Sequence, residues 1–137
     1  MLKIVVDTNI LISAIVFGGT PDEIMTLARF GAVELYLSDF ILEETTRVLK
    51  LKFQWSSKEI TTYMKLLHRF ATIVTPTKEI TRIKNDKTDN HILACTHHVR
   101  ADFLITGDTK HILPIKRYGQ TIILSPTEFL HIWQQIH

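Results

Sequence analysis

The sequence predicts an α/β fold: a doubly wound, five-stranded parallel sheet with helices on both faces. Short β-branched runs alternate with helix-period segments from one end of the chain to the other. Each run is halted by Asp, Ser, Gly or Pro, residues that punctuate strand-to-helix loops or cap the helix that follows. Such alternation implies parallel strands joined by right-handed crossovers, which cover both faces of the sheet. A length of 137 residues suits one domain over residues 1–137, because two halves would each bury too small a core.

The elements follow in order. Residues 2–6 (Leu-Lys-Ile-Val-Val) read as a strand ended by Asp7-Thr-Asn9, after which Ile10, Leu11, Ala14 and Ile15 recur at helical spacing. Thr20-Pro-Asp-Glu23 reads as a capping box with proline at the first helical position, and Ile24, Leu27 and Ala28 carry that helix to Gly31. Residues 33–37 alternate as a second strand, and Ser38 is placed to cap a helix whose apolar stripe is Ile41, Leu42, Val48 and Leu49. Ser56-Ser-Lys-Glu59 opens another helix, to about Phe70. Residues 72–75 form a third strand halted by Pro76, and a polar connector, 77–88, leads to a helix with Ile92, Leu93 and Val99 on its apolar side. A fourth strand at 102–106 turns at Gly107-Asp108. A fifth at 121–124 precedes a helix capped by Ser125-Pro-Thr-Glu128 and bearing Phe129, Leu130, Trp133 and Ile136.

Composition removes several classes. With 45% hydrophobic and 22% charged residues the chain is not disordered. Its longest uncharged stretch, Thr8 to Pro21, is interrupted by Ser13, Gly18 and Gly19 and falls short of the roughly 18–20 residues of a membrane span. Asp7 cuts the apolar run at the N-terminus, so a cytoplasmic protein is expected. One cysteine, Cys95, makes no internal disulfide and suits a reducing compartment as a small buried residue. His97 and His98 beside it do not form a zinc site, since neighbouring helix positions point apart. A net charge of +2 is too mild to indicate nucleic acid by itself.

In a doubly wound sheet, ligands bind beyond the carboxyl ends of the strands, where strand order reverses. Asp7 ends the first strand and Asp108 follows the fourth by a single glycine, so the two are neighbours if those strands adjoin. The helices run antiparallel to the strands and begin at the same edge, which brings Glu44 and Asp89, both in early helical turns, to it. At about 100° per residue, Glu43 lies opposite the apolar stripe of its helix and Glu44 at the border, so Glu43 is solvated and Glu44 reaches inward. Asp89 shares a stripe with Ile92, Leu93 and Thr96.

Each of the four has an ordinary structural reading too. Asp7 can cap a helix, Glu44 can pair with Arg47, Asp89 can close a capping box from Asp86, and Asp108 can serve a turn. Together they are harder to explain as structure alone. Two unit charges about 5 Å apart, at an effective dielectric of about 20, repel by roughly 3 kcal/mol, against a domain stability of about 5–15 kcal/mol. A divalent cation removes that repulsion. All-oxygen ligation favours Mg²⁺ or Mn²⁺ over zinc, and such ions serve phosphodiester hydrolysis.

Asp7-Thr-Asn9 after the first strand, Glu44 before Val48-Leu49, Asp86-x-x-Asp89-Asn90, Thr106-Gly-Asp108 and the closing Ile122-Ile-Leu-Ser-Pro-x-Glu-Phe129 resemble a PIN domain over nearly the whole chain, in order. Within that family they resemble the toxin components of bacterial toxin-antitoxin systems, VapC-like ribonucleases. The resemblance implies strand order 3-2-1-4-5, a metal-dependent endoribonuclease in which Asp7, Glu44, Asp89 and Asp108 hold Mg²⁺ or Mn²⁺, polar support from Asn9 and Thr106, an antitoxin partner and a homodimer. Two positions depart from the pattern. Thr45 stands where an apolar residue usually follows the glutamate, and Lys110 stands where many relatives carry a further acid. His111 reads as a surface histidine, with contact to substrate as the alternative.

Basic residues flank the acidic edge in sequence: Arg47, Lys50 and Lys52 after Glu44, and Arg82, Lys84 and Lys87 before Asp89. Arg47, Lys50, Lys84 and Lys87 are the candidates for guiding an RNA backbone, with solvated helix faces and pairing to Glu79 and Asp86 as the plain alternative. Two other classes compete. A receiver-like switch also gathers acids and Mg²⁺ at strand ends, but no aspartate ends the third strand. A catalytically silent scaffold would act by partner binding alone, yet all four acids are present.

Overall fold

The computed structural model describes residues 1–77 and 87–137, apart from the side chains of Lys87 and Thr88. Most of the connector expected at 77–88, with Glu79, Arg82, Lys84 and Asp86, lies outside the described residues.

Strand β1 (Lys3–Val6) leads into α1 (Thr8–Val16) and α2 (Gly19–Arg29), and β2 (Glu34–Ser38) leads into α3 (Asp39–Lys52) and α4 (Ser57–Phe70). Then come β3 (Ala71–Val74), α5 (Lys87–Val99), β4 (Phe103–Ile105), a 3₁₀ turn (Leu113–Ile115), β5 (Arg117–Tyr118), β6 (Thr121–Leu124) and α6 (Pro126–Ile136). The sheet order is β3-β2-β1-β4-β6-β5. Its first five members reproduce the 3-2-1-4-5 arrangement and pair in parallel. The sixth corrects the expected count. Arg117 and Tyr118 pair antiparallel with Ile122 and Thr121 through a hairpin with Gly119 at φ +61°, and so cover the outer edge of β6. Two residues are too few to show a period of two.

β1 is the centre of the molecule. Ile4, Val5 and Val6 are fully buried, as are Leu104 and Ile105 of β4, and continuous apolar runs of this kind mark a sheet covered on both faces. Right-handed crossovers place α1 to α4 on one face and α5 on the other, because the chain steps from β1 towards β3 and then reverses to reach β4. Phe129 of α6 is fully buried edge-on against Phe103. Ile12, Leu49 and Ile60 form a satellite cluster that joins α1, α3 and α4.

Helix starts follow the sequence closely, with one exception. Ser38, Ser56 and Ser125 each accept a hydrogen bond from a first-turn N–H, the latter two in full capping boxes with Glu59 and Glu128. The box expected at Thr20 does not form: α2 begins at Gly19, is preceded by Gly18 at φ +73°, and has no side-chain cap. Two successive glycines at positive φ let the chain turn through 99° from α1 straight into α2, leaving no extended residue to serve as a cap. Among the described residues no single helix is long and apolar enough to cross a membrane; only the bent pair α1 and α2 qualifies together, and its Ile10, Leu11, Ile24 and Met25 are buried in the core.

Ser38 sets the start of the helix that carries Glu44, through a 3.1 Å bond from the Ile41 N–H to a fully enclosed hydroxyl. Ser38→Ala should lower stability by about 0.5–2 kcal/mol in urea unfolding, with an unchanged dependence on denaturant. No loss would mean that α3 is positioned by packing alone.

Candidate metal centre

β1 pairs with β4 so that Val6 faces Ile105, and the residues that follow, Asp7 and Thr106, meet at the carboxyl edge. The Asp7 N–H continues the ladder to the Ile105 carbonyl at 3.3 Å. Asp7 is only 2% exposed. Its Oδ1 accepts from the Ile10 N–H at 3.0 Å and caps α1, while its Oδ2 accepts from the Thr106 hydroxyl. The Thr106 oxygen in turn accepts from the Asp108 N–H at 3.0 Å.

Burial sets the chemistry of this carboxylate. The Asp7 carboxyl is raised from 3.8 to about 6, mainly by desolvation and to a smaller extent by the charges of Asp108 and Glu44, against the lowering effect of the Thr106 and Ile10 hydrogen bonds. Three of the four predicted acids are therefore electrostatic neighbours.

Glu44 comes from the second turn of α3. Its side chain is 12% exposed and pairs with Arg47 at 3.5 Å, whereas Glu43 is exposed. The helix phase read from the sequence therefore holds. Arg47 is 63% exposed, so the pair itself is worth little. Thr45, on the inner side, is fully buried and returns its hydroxyl to the Ile41 carbonyl at 2.7 Å, which satisfies a polar group where an aliphatic side chain would need no partner.

Asp89 lies in the first turn of α5 and is buried, as are Ile92, Leu93 and Thr96 on the same stripe. Asp108 is held by its turn: its Oδ1 accepts from the N–H groups of Lys110 and His111, both at 3.0 Å. His111 is exposed, as the surface reading expects, yet its ring turns towards the acidic edge. Its Nδ1 stands 3.8 Å from Asp89 Oδ2 and 3.7 Å from Asp108 Oδ2. Sequence spacing could not show this, because the Asp108 turn is what swings His111 back over the edge.

The other candidates are distributed as follows. Thr106 touches Asp7 directly, whereas Asn9 is exposed on α1. Lys50 is exposed one turn beyond Arg47, Lys87 begins α5, and Lys84 is outside the described residues. A cavity of about 650 Å³ along α4, lined by Trp55, Tyr63 and Leu66 among others, includes none of the four acids.

The donor set fits a divalent cation. One atom each from Asp89, Asp108 and His111 lies within 4.8 Å of the others, and Asp7 carries a carboxyl that its surroundings alone do not keep ionised at mildly acidic pH. Hard oxygen donors with one imidazole suit Mg²⁺ or a first-row ion such as Mn²⁺.

A pH effect follows from Asp7. Above about 6 its buried charge costs the metal-free fold about 3 kcal/mol. Between 6 and 3.8 the folded chain keeps a proton that the unfolded chain releases, so the penalty fades as pH falls and is gone below 3.8. Asp7→Asn in chelator should therefore be more stable than wild type by about 1–3 kcal/mol at neutral pH, with the advantage vanishing by about pH 4 in thermal or urea melts. A variant less stable than wild type at neutral pH would contradict this.

Comparison with known proteins agrees with the architecture. A crystal structure of VapBC2 from Rickettsia felis, bound to a DNA fragment from their promoter, contains a chain that superposes with a TM-score of 0.61 at 16% identity, over 89% of this chain and 97% of that one. At that identity the likeness is one of fold. No curated protein matches in sequence. The family model of the PIN domain matches residues 3–110, which includes β1 to β4 and all four carboxylates, and the chain therefore belongs to the PIN domain family.

Proposed function

We propose that this chain is a metal-dependent endoribonuclease that hydrolyses RNA phosphodiester bonds, acting as the VapC-like toxin of a type II toxin-antitoxin pair. The observation that carries this reading is the gathering of Asp7, Glu44, Asp89 and Asp108 where the strand order reverses between β1 and β4, with Asp7 buried against the charges of Asp108 and Glu44. These four residues would hold Mg²⁺ or Mn²⁺, which when bound supplies Lewis acidity towards the scissile phosphate. Thr106 holds one oxygen of the Asp7 carboxylate, and Ser38 and the Asp108 turn fix the positions from which Glu44 and Asp108 reach in.

Arg47 and Lys50, exposed on α3, together with Lys84 and Lys87, would draw the phosphate backbone to this edge. A cysteine nucleophile is ruled out by position: Cys95 is buried, and burial raises its thiol to about 12. A receiver-like switch lacks its acceptor, since β3 ends in Val74 and runs on to Thr75 and Pro76. The fold shared with VapBC2 and membership of the PIN family support a protein antitoxin as partner. We place the protein in the cytoplasm as a homodimer, to which the exposed Phe17, Phe30, Leu51 and Leu66 offer apolar surface.

The purified chain should cut single-stranded RNA in Mg²⁺ or Mn²⁺ and stop in chelator. Glu44→Gln should reduce cleavage to background, whereas Glu43→Gln should leave the rate unchanged, because only the first reaches the centre. Cleavage that persists in chelator or in Glu44→Gln would overturn the proposal.

A further inference from the structure

His111 follows the Gly-Asp turn by three residues and is held on both sides. Its own N–H donates to Asp108 Oδ1, the next residue, Ile112, is fully buried in the main core, and the Leu113 N–H closes the loop onto the Asp108 carbonyl at 2.9 Å. The ring is half exposed, at 52%, yet its Nδ1 faces inward between two carboxylates from different elements, Asp89 of α5 and Asp108 of the loop after β4.

The separations of 3.8 and 3.7 Å are too long for hydrogen bonds. They match donors that share one cation, which at bond lengths of about 2.0–2.2 Å stand roughly 3–4.4 Å apart. Lys110, two residues after Asp108, is exposed and cannot supply an acidic ligand. The imidazole is the donor the loop delivers instead.

We propose that His111 Nδ1 is a direct ligand of the same divalent centre as Asp89 and Asp108, and that it shifts the preference of the centre from Mg²⁺ towards Mn²⁺. This rests on the reading of the acidic edge as a metal centre. Mg²⁺ takes oxygen ligands in near-octahedral geometry, whereas imidazole suits first-row transition ions, so exchanging an oxygen for a nitrogen donor penalises Mg²⁺ more than Mn²⁺.

The test is pulsed electron paramagnetic resonance of Mn²⁺ bound to the full chain, with calorimetric titration of Mn²⁺ and Mg²⁺. Wild type should show ¹⁴N coupling from one imidazole, and His111→Ala should lose it, binding Mn²⁺ about tenfold more weakly or worse while Mg²⁺ affinity changes less than about threefold. His111→Asp, which restores an oxygen donor, should lack the coupling and favour Mg²⁺ relative to wild type. Melting in chelator checks that both variants fold. Mn²⁺ binding without nitrogen coupling, or coupling that survives in His111→Ala, would overturn this inference and leave the acidic metal centre standing. Failure of wild type to bind either ion would overturn both.

Discussion

The Asp7 carboxylate is the constraint on which the rest of the arrangement depends. One of its oxygens starts α1, the other is held by Thr106 at the end of β4, and Thr106 in turn fixes the backbone at Asp108. A single side chain thus joins the central strand, the first helix and the neighbouring strand at the point where the sheet changes direction. An apolar residue there would be cheaper to bury but could make none of these bonds. The donors available offset part of the desolvation, and burial still wins, as the rise to about 6 shows.

Helix dipoles cannot close that gap. Asp7 sits at the N-cap of α1 and Asp89 in the first turn of α5, where an anion gains about 0.3–1 kcal/mol. Holding the Asp7 charge at this position costs about 3 kcal/mol, with the repulsion from Asp108 and Glu44 included. A cation held at this edge, as we propose, would offset that cost. Nearby, the hydroxyls of Ser38, Thr45, Thr96 and Thr106 have backbone or side-chain partners, whereas the buried Thr8 hydroxyl next to Asp7 has none among the described residues.

Much of this is legible in the sequence, for identifiable reasons. Five strands announce themselves by β-branched runs, three serine caps by their spacing to the first turn, and the choice of Glu44 over Glu43 by helical phase. What escapes depends on backbone turns. The Gly18-Gly19 pair cancels the cap expected at Thr20, and the two-residue strand β5 is too short for any periodic signal. His111 is brought to the edge by hydrogen bonds to Asp108, three residues away, which no hydrophobic pattern encodes.

We read the edge as built around a buried carboxylate that a cation would complete. The most direct measurement is a ¹³C nuclear magnetic resonance titration of the Asp7 side-chain carboxyl, first in chelator and then in saturating Mg²⁺. A midpoint near pH 6 in chelator, falling below the ordinary aspartate value of about 3.9 once Mg²⁺ is added, is the predicted result. A midpoint already near that ordinary value without metal, and unmoved by Mg²⁺, would contradict it.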